Sequence, residues 1–169
     1  MTGREQAKQI WKGLMTTTLN MINEDDEALL MSAKDQLLNF YYIHFEILTE
    51  QRSFIEARYQ NSSCLRLLFF ELGEYRHLFE RYAEQIIAKA VSEGSVKDLF
   101  FLNQAYSRGL WGQLIFLLRF WIFDESENTE LTDALIEKAV TSTEDVMKNQ
   151  SFSSSIDLWK FVAQQFKFA

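Results

Sequence analysis

Apolar residues recur at helical spacing along almost the whole of this 169-residue chain. Near its beginning, Trp11, Leu14 and Thr18 stand three and four positions apart, which places them on one face of a helix. The same pattern predicts seven helices, approximately at 4–22, 32–50, 53–61, 65–92, 96–123, 129–148 and 154–167. We therefore expect an all-α fold, in one domain spanning 1–169, because the chain has the length of one ordinary domain.

Serines followed three residues later by an acid support several of these helix starts. In such a capping box the hydroxyl accepts from an unpaired backbone N–H, while the acid interacts favourably with the helix dipole. The pairs are Ser32 with Asp35, Ser53 with Glu56, Ser95 with Asp98, and Ser154 with Asp157. Gly94 stands where a left-handed residue would end the fourth helix. The acidic run at 24–27 is expected to be a solvated loop.

Composition and charge limit what the chain can do. Its hydrophobic fraction of 47% and aromatic fraction of 15% are those of a folded protein. A net charge of −7 argues against a DNA-binding surface within these residues. The single Cys64 excludes an internal disulfide framework, and with the missing signal peptide it suggests a cytoplasmic setting. The apolar run at 114–123 is too short to span a bilayer, so no membrane partner is expected.

The sequence contains no recognisable catalytic constellation. Glu74 and His77 have the Glu-x-x-His spacing of a di-iron carboxylate site, but that site needs a second such pair. The only other histidine, His44, has Tyr41 at the matching position. Neither a nucleophile elbow nor a phosphate-binding loop occurs. We therefore expect no metal, no cofactor and no enzymatic activity, and a helical enzyme is the least favoured of three hypotheses.

Two polar residues stand in apolar surroundings. His44 lies within the apolar arc of its helix, where a core histidine bonded to a neighbour is favoured over a ligand-binding one. Arg119 interrupts the apolar run of the helix at 96–123, which has almost no polar face and is expected to be buried all round. An internal acid is the favoured partner for Arg119; an acid across a subunit interface or an acidic ligand are the alternatives.

A longer pattern in the last third resembles a known family. The segment 109–114 (GLWGQL) is followed by Phe120-Trp121, by Asp124-x-Ser126 and by 132–140 (TDALIEKAV). Together with 40–54 and 7–19, it is similar to the C-terminal regulatory domain of TetR-type transcriptional regulators. The resemblance implies a helical body that pairs through its last long helices into a four-helix interface and holds a small apolar molecule.

The resemblance also implies a basic helix-turn-helix head that reads DNA. Only 23 residues precede the acidic run that begins at Glu24, and they are similar to the helix that joins head to body. We expect that the head was either trimmed from a longer regulator or lost in nature. DNA would then be a partner only through that missing domain.

Two function hypotheses from different classes follow. The first is the effector-binding and dimerisation domain of a TetR-type regulator; the alternative is a stand-alone lipid or isoprenoid carrier of the same fold. An apolar cavity is predicted between the helices at 32–50, 65–92 and 96–123, where large aromatic residues and a few polar groups are concentrated. Its candidate lining residues are Tyr41, His44, Phe45, Tyr82, Asn103, Tyr106 and Trp111.

A homodimer is predicted because the last helices carry more apolar surface than one small domain covers. The candidate interface residues are Leu118, Trp121, Leu135, Ala139, Val146, Ile156, Trp159, Val162 and Phe166. The partners expected are thus a second copy of the chain and a small apolar effector or lipid.

Overall fold

A computed structural model of the chain describes residues 2–60, 69–96 and 100–148, with side chains in the last range from 103 onward. Its helices are α1 (Gly3–Asn23), α2 (Asp26–Leu30), α3 (Ala33–Glu50), α4 (Arg52–Tyr59), α5 (Gly73–Ser92), α6 (Phe100–Ile122) and α7 (Glu130–Met147). These ranges contain no strand, and the predicted all-α fold class is confirmed. None of their helices is both long and apolar enough to cross a membrane.

The acidic run at 24–27 was expected to be a solvated loop, and this is correct only in part: all four residues are exposed, but only Glu24 and Asp25 lie between helices. Asp26 and Glu27 form the first turn of α2, and the Asp25 side chain caps it. The Oδ1 atom of Asp25 accepts hydrogen bonds from the backbone N–H groups of Glu27 at 3.0 Å and Ala28 at 3.1 Å. Clustered carboxylates are favourable at a helix N-terminus because they face its positive end.

Two of the predicted helix ends are confirmed. The Ser32 hydroxyl accepts from the backbone N–H of Asp35 at 3.1 Å and donates to the Asp35 carboxylate at 2.7 Å. At the end of α5, Gly94 has a φ of +72°, a conformation that costs other residues energy. The backbone N–H of Ser95 then returns to the carbonyl of Ala90 at 2.9 Å and closes the helix.

Other boundaries differ from the prediction. Ser53 is not a cap, because α4 begins one residue earlier at Arg52 and has no side-chain cap. The predicted helix at 65–92 is interrupted before Gly73, where α5 begins, after a short helical stretch at 69–71. Cys64, the Ser95–Asp98 pair in part, and the predicted helix at 154–167 lie outside the described residues.

The core lies where α1, α3 and α5 pack against one another, with α6 on α5 and α7 on α3 and α6. Aromatic rings fill it. The ring of Phe40 lies 4.9 Å from that of Tyr82, 5.4 Å from Phe79 and 5.3 Å from His44, measured between centroids. Aromatic pairs at such distances add to the stabilisation that burial provides. This aromatic cluster is a packed interior.

Within the single chain, the described residues do not cover α6 on every side. Leu114 and Leu118 are buried, but Gly109, Gly112 and Arg119 are exposed. The reason is that α6 packs on α4, α5 and α7 and so keeps one open face. Burial of α6 all round would need a second subunit or another part of the chain on that face, so it stays a prediction, as does the partner of Arg119.

The connection between α6 and α7 is fixed by Asp124. Its Oδ2 atom accepts from the backbone N–H of Thr132 at 2.8 Å, and its Oδ1 atom accepts from that of Ser126 at 2.9 Å. These bonds satisfy N–H groups at the start of α7 that have no helical partner. Asn128 and Thr129 have φ values of +51° and +59°, which reverse the chain so that α7 runs back along α6.

Candidate functional site

An apolar cleft opens between the start of α3, the end of α5, the middle of α6 and the end of α7. Its volume is about 220 Å³. The walls include Leu37, Ile86, Ala90, Leu110, Val140 and Met147. We call it the α3–α7 cleft. Mostly apolar walls with a few placed polar groups are typical of small-molecule sites.

Charged side chains surround the mouth of the α3–α7 cleft. Lys34 Nζ lies 2.5 Å from Oε2 of Glu144, and Lys148 Nζ lies 2.5 Å from Oε1 of the same carboxylate. These three side chains are 23–37% exposed. Burial alone would raise the pKa of Glu144, but hydrogen bonds from Lys148 and Lys34 hold it below its usual value. The carboxylate is therefore ionised, and the trio carries one net positive charge.

A second carboxylate lies on the rim, at the start of α3. Both oxygens of Glu93 accept from the backbone N–H of Ala33, at 3.1 and 3.2 Å. This bond ties the end of α5 to the first turn of α3. The positive end of the α3 dipole partly offsets the charge of Glu93.

His44 is fully bonded in the core. The Thr18 hydroxyl donates to the carbonyl of Leu14 at 2.9 Å, so it accepts from Nδ1–H of His44 at 2.7 Å. The other ring nitrogen, Nε2, then accepts from the hydroxyl of Tyr75 at 2.6 Å. Burial lowers the pKa of His44 to about 3, which keeps the imidazole neutral. This is the geometry of a core histidine satisfied by its neighbours.

The other predicted ligand-binding residues lie apart from the cleft. Tyr41, Phe45 and Tyr82 are buried, and Tyr82 donates from its hydroxyl to the carbonyl of Gln36 at 3.1 Å. Asn103, Tyr106 and Trp111 are half-buried on α6. None of the seven candidates lines the α3–α7 cleft, although five of them and the buried His44 lie in or against the core. Their role in ligand binding stays a prediction.

Gln113 connects three helices beside the cleft. Its Oε1 accepts from the hydroxyl of Tyr41 on α3 at 2.8 Å. Its Nε2 donates to the carbonyl of Ala139 at 2.8 Å and to Oγ1 of Thr143 at 2.6 Å, both on α7. These bonds satisfy polar atoms within an otherwise apolar region and fix the spacing of α3, α6 and α7.

A second, wider depression of about 510 Å³ runs between α6 and α7. We call it the α6–α7 groove, and its lining includes Ala105, Tyr106, Gly109, Gly112, Phe116 and Val146. A Cβ placed on either glycine would have no heavy atom of the described residues within 4 Å. Leu110, Thr143 and Met147 line both the groove and the cleft, so the two share a wall.

Several predicted interface residues are already covered by their own chain. Leu118, Trp121 and Leu135 are fully buried, and Ala139 is almost so. Val146 is 44% exposed and lines the α6–α7 groove. The remaining candidates, Ile156, Trp159, Val162 and Phe166, lie outside the described residues. Among the candidates that the structure describes, Val146 is therefore the one that remains open to a partner, and it lies in the groove.

Sequence reasoning missed a buried acid, Glu71. Its side chain is fully buried and accepts hydrogen bonds from Arg58 and from the hydroxyl of Tyr59. The indole N–H of Trp11 on α1 donates to the same tyrosine oxygen at 2.9 Å. Burial alone would raise the pKa of Glu71, but the bonds from Arg58 and Tyr59 lower it. A single charge within the apolar run 67–72 was the available signal.

The remaining polar groups do not form a metal site among the residues that the structure describes. His77 is exposed, as expected of a solvated histidine. No three His, Cys, Asp or Glu side chains in these ranges lie close enough together to hold an ion.

Comparison with known families now identifies the class of protein. A family model described as "tetracyclin repressor-like, C-terminal domain" matches residues 36–162, well over half of the chain. The chain therefore belongs to this family, which confirms the resemblance found in the sequence. Neither the curated proteins nor the solved structures compared with the chain give a significant match.

Proposed function

We propose that this chain is the effector-binding and dimerisation domain of a TetR-type transcriptional regulator. It acts in the cytoplasm by binding, without chemistry of its own. The observation that carries the effector role is the α3–α7 cleft, because it combines apolar walls with a charged mouth in a chain of this family. DNA contact would require a separate head, since the chain is acidic overall.

The size of the cleft supports a small effector over a long lipid. Its 220 Å³ lies just below the roughly 300–1,000 Å³ of typical ligand pockets, which fits a small molecule. The alternative, a lipid or isoprenoid carrier, would need a tail that extends beyond this cleft.

The α6–α7 groove supports pairing with a second copy. The groove is lined mainly by small and apolar side chains, and Phe116 and Val146 lie along it. Contiguous apolar surface of this kind is typical of an interaction site, and a twofold axis would bring the same face of two copies together. We expect a total interface of the obligate size class, above roughly 2,000 Å².

Two measurements on the full chain test the proposal. Light scattering at micromolar concentration should give the mass of a dimer. The mass of a monomer would contradict the proposed dimerisation. A thermal-shift panel of small amphipathic and aromatic compounds should contain at least one that raises Tm by binding the folded state.

Ala90→Phe, which fills the cleft, should abolish that shift, whereas Ala57→Phe on the exposed side of α4 should leave it unchanged. If no compound raises Tm, or if Ala90→Phe responds like the parent chain, the effector half is wrong. Sequence-specific binding of duplex DNA by this chain alone would contradict the proposed function as a whole.

A further inference from the structure

The mouth of the α3–α7 cleft brings two lysine side chains together in an acidic protein. The chain has a net charge of −7, yet two lysines, Lys34 and Lys148, converge on the single carboxylate of Glu144. Each ammonium group has three N–H donors, and the bond to Glu144 uses one of them. Two cationic groups therefore stand at the mouth of an apolar cleft with unused donors.

The walls behind these lysines are apolar. Ile86 and Ala90 from α5, Leu110 from α6 and Val140 from α7 are all buried and face the same space. An alkyl chain or a small ring placed there would be removed from water, which is favourable. The ligand that suits both parts has an apolar body and an anionic head.

We propose that the α3–α7 cleft binds a small amphipathic carboxylate, with its apolar body between α5, α6 and α7 and its head at Lys34 and Lys148. This inference rests on the proposed effector role, because it names the ligand class of the same site. The small volume of the cleft favours a short apolar body. Charge-assisted bonds from two ammonium groups would select the carboxylate over a neutral or cationic head of the same size.

Glu93 sets a second condition on the head group. Its carboxylate is bonded to the backbone N–H of Ala33, the residue before Lys34. Together with Glu144 it sets two carboxylates against two ammonium groups around the cleft. A dianionic head would meet more repulsion there than a monoanionic one, so a dianion should bind less well than a monoanion.

The experiment compares three probes of equal chain length on the full chain: sodium octanoate, 1-octanol and octylamine. Octanoate should raise Tm in a saturable way, 1-octanol should act more weakly, and octylamine should have no effect. In the double variant Lys34→Gln with Lys148→Gln, octanoate affinity by calorimetry should fall about tenfold. The response to 1-octanol should stay as it was, which shows that the walls of the cleft are intact.

Matched variants separate the failure of this inference from the failure of the proposed function. Lys8→Gln with Lys12→Gln removes the same charge from exposed positions on α1 and should leave octanoate binding unchanged. Ala90→Phe, or Ala90→Met if the larger side chain prevents folding, should abolish binding of octanoate and 1-octanol alike.

Equal binding of octanoate and 1-octanol, or an unaltered affinity in the double lysine variant, would overturn the carboxylate inference and leave an effector cleft standing. Octanoate binding that survives both Ala90 variants would place the ligand elsewhere and overturn it too. If none of the three probes binds, the inference is wrong; the proposed function then stands only if another compound raises Tm and Ala90→Phe blocks it.

Discussion

The hydroxyl of Tyr75 donates a 2.6 Å hydrogen bond to Nε2 of His44, which joins α5 to α3 at the centre of the core. Because Nδ1–H of the same ring donates to Thr18 on α1, the imidazole connects three helices and is neutral. Burial lowers the pKa of His44 to about 3, because a charged imidazole would lose its solvation in the core.

The buried, neutral imidazole of His44 predicts a pH dependence of stability. Between the unfolded pKa of about 6.5 and the folded value of about 3, the unfolded chain binds a proton at His44 and the folded chain does not. The free energy of unfolding should therefore fall as the pH drops below 6.5, by up to about 1.4 kcal/mol per pH unit from this group. In His44→Gln, which does not titrate, the slope should be shallower.

Urea unfolding of the parent chain and His44→Gln at about pH 7, 6 and 5 measures the difference. His77→Gln is the matched control, since His77 is exposed on α5. Its slope should equal that of the parent chain. Parallel slopes in all three proteins would show that His44 is accessible to protons in the folded state.

The bonds of Glu71 give the second prediction. Glu71→Gln keeps the shape of the side chain but removes the charge that Arg58 pairs with. Loss of one partner of a buried ion pair is strongly destabilising, and since Arg58 is partly exposed we expect a loss of about 2–4 kcal/mol. Glu74→Gln, at an exposed acid whose nearest cation is 3.8 Å away, should change stability by less than about 0.5 kcal/mol. If urea unfolding gave the same loss of free energy for Glu71→Gln and Glu74→Gln, the bonds of Glu71 to Arg58 and Tyr59 would not stabilise the fold.

Much of the helical framework could be predicted from the sequence because it depends on local physics. The apolar spacing of Trp11, Leu14 and Thr18 and the cap at Ser32 act within a few residues of chain, so they were found. The end of α5 at Gly94 is local in the same way, because it depends on the positive φ of one glycine. The error at Asp26 arose because a run of carboxylates is compatible with either a loop or a first helical turn, and only its neighbours decide.

The orientation of α6 and the position of the cleft could not be predicted in this way. Apolar residues are spread around every side of α6 from Leu110 to Ile122, so its sequence does not show which side faces the core. The side is set by where α5 and α7 lie. Likewise, Lys34 and Glu144 read as ordinary surface charges in the sequence, and only the packing of α7 on α3 brings them together.

The third prediction concerns the start of α7. Asp124→Ala removes the acceptor for the backbone N–H groups of Ser126 and Thr132 and should cost about 1–2 kcal/mol, as loss of a helix cap does. Glu125→Ala, one residue later at an exposed position, should change stability by no more than about 0.5 kcal/mol. The free energies come from urea unfolding, and an undiminished stability of Asp124→Ala would show that this acid is not needed to hold the connection.

The fourth prediction separates the fold from the proposed pairing at the α6–α7 groove. Gly112 is exposed, and a leucine there would meet open space in the single chain. Gly112→Leu should therefore stabilise α6 by up to about 1 kcal/mol through helix propensity if the chain is a monomer. If a second copy packs on this face, the same change should dissociate the dimer in sedimentation experiments. A variant that dimerises as tightly as the parent chain would exclude the groove as the interface.

The shared wall of the two depressions gives the last prediction. Met147 and Leu110 border the α3–α7 cleft on one side and the α6–α7 groove on the other. A ligand in the cleft would contact these side chains and change the surface that the proposed partner meets. Since linkage is reciprocal, a ligand that alters the dimer dissociation constant must bind monomer and dimer with different affinities, and with two equivalent clefts the constant changes by the square of the affinity ratio per site. Sedimentation with and without saturating octanoate should therefore give different dissociation constants, by a factor of about 5 or more.

The Ala90→Phe variant, with its cleft filled, should show one constant in both conditions. Identical constants for the parent chain, at octanoate concentrations where its Tm shift is complete, would show that the wall does not transmit occupancy of the cleft to the groove.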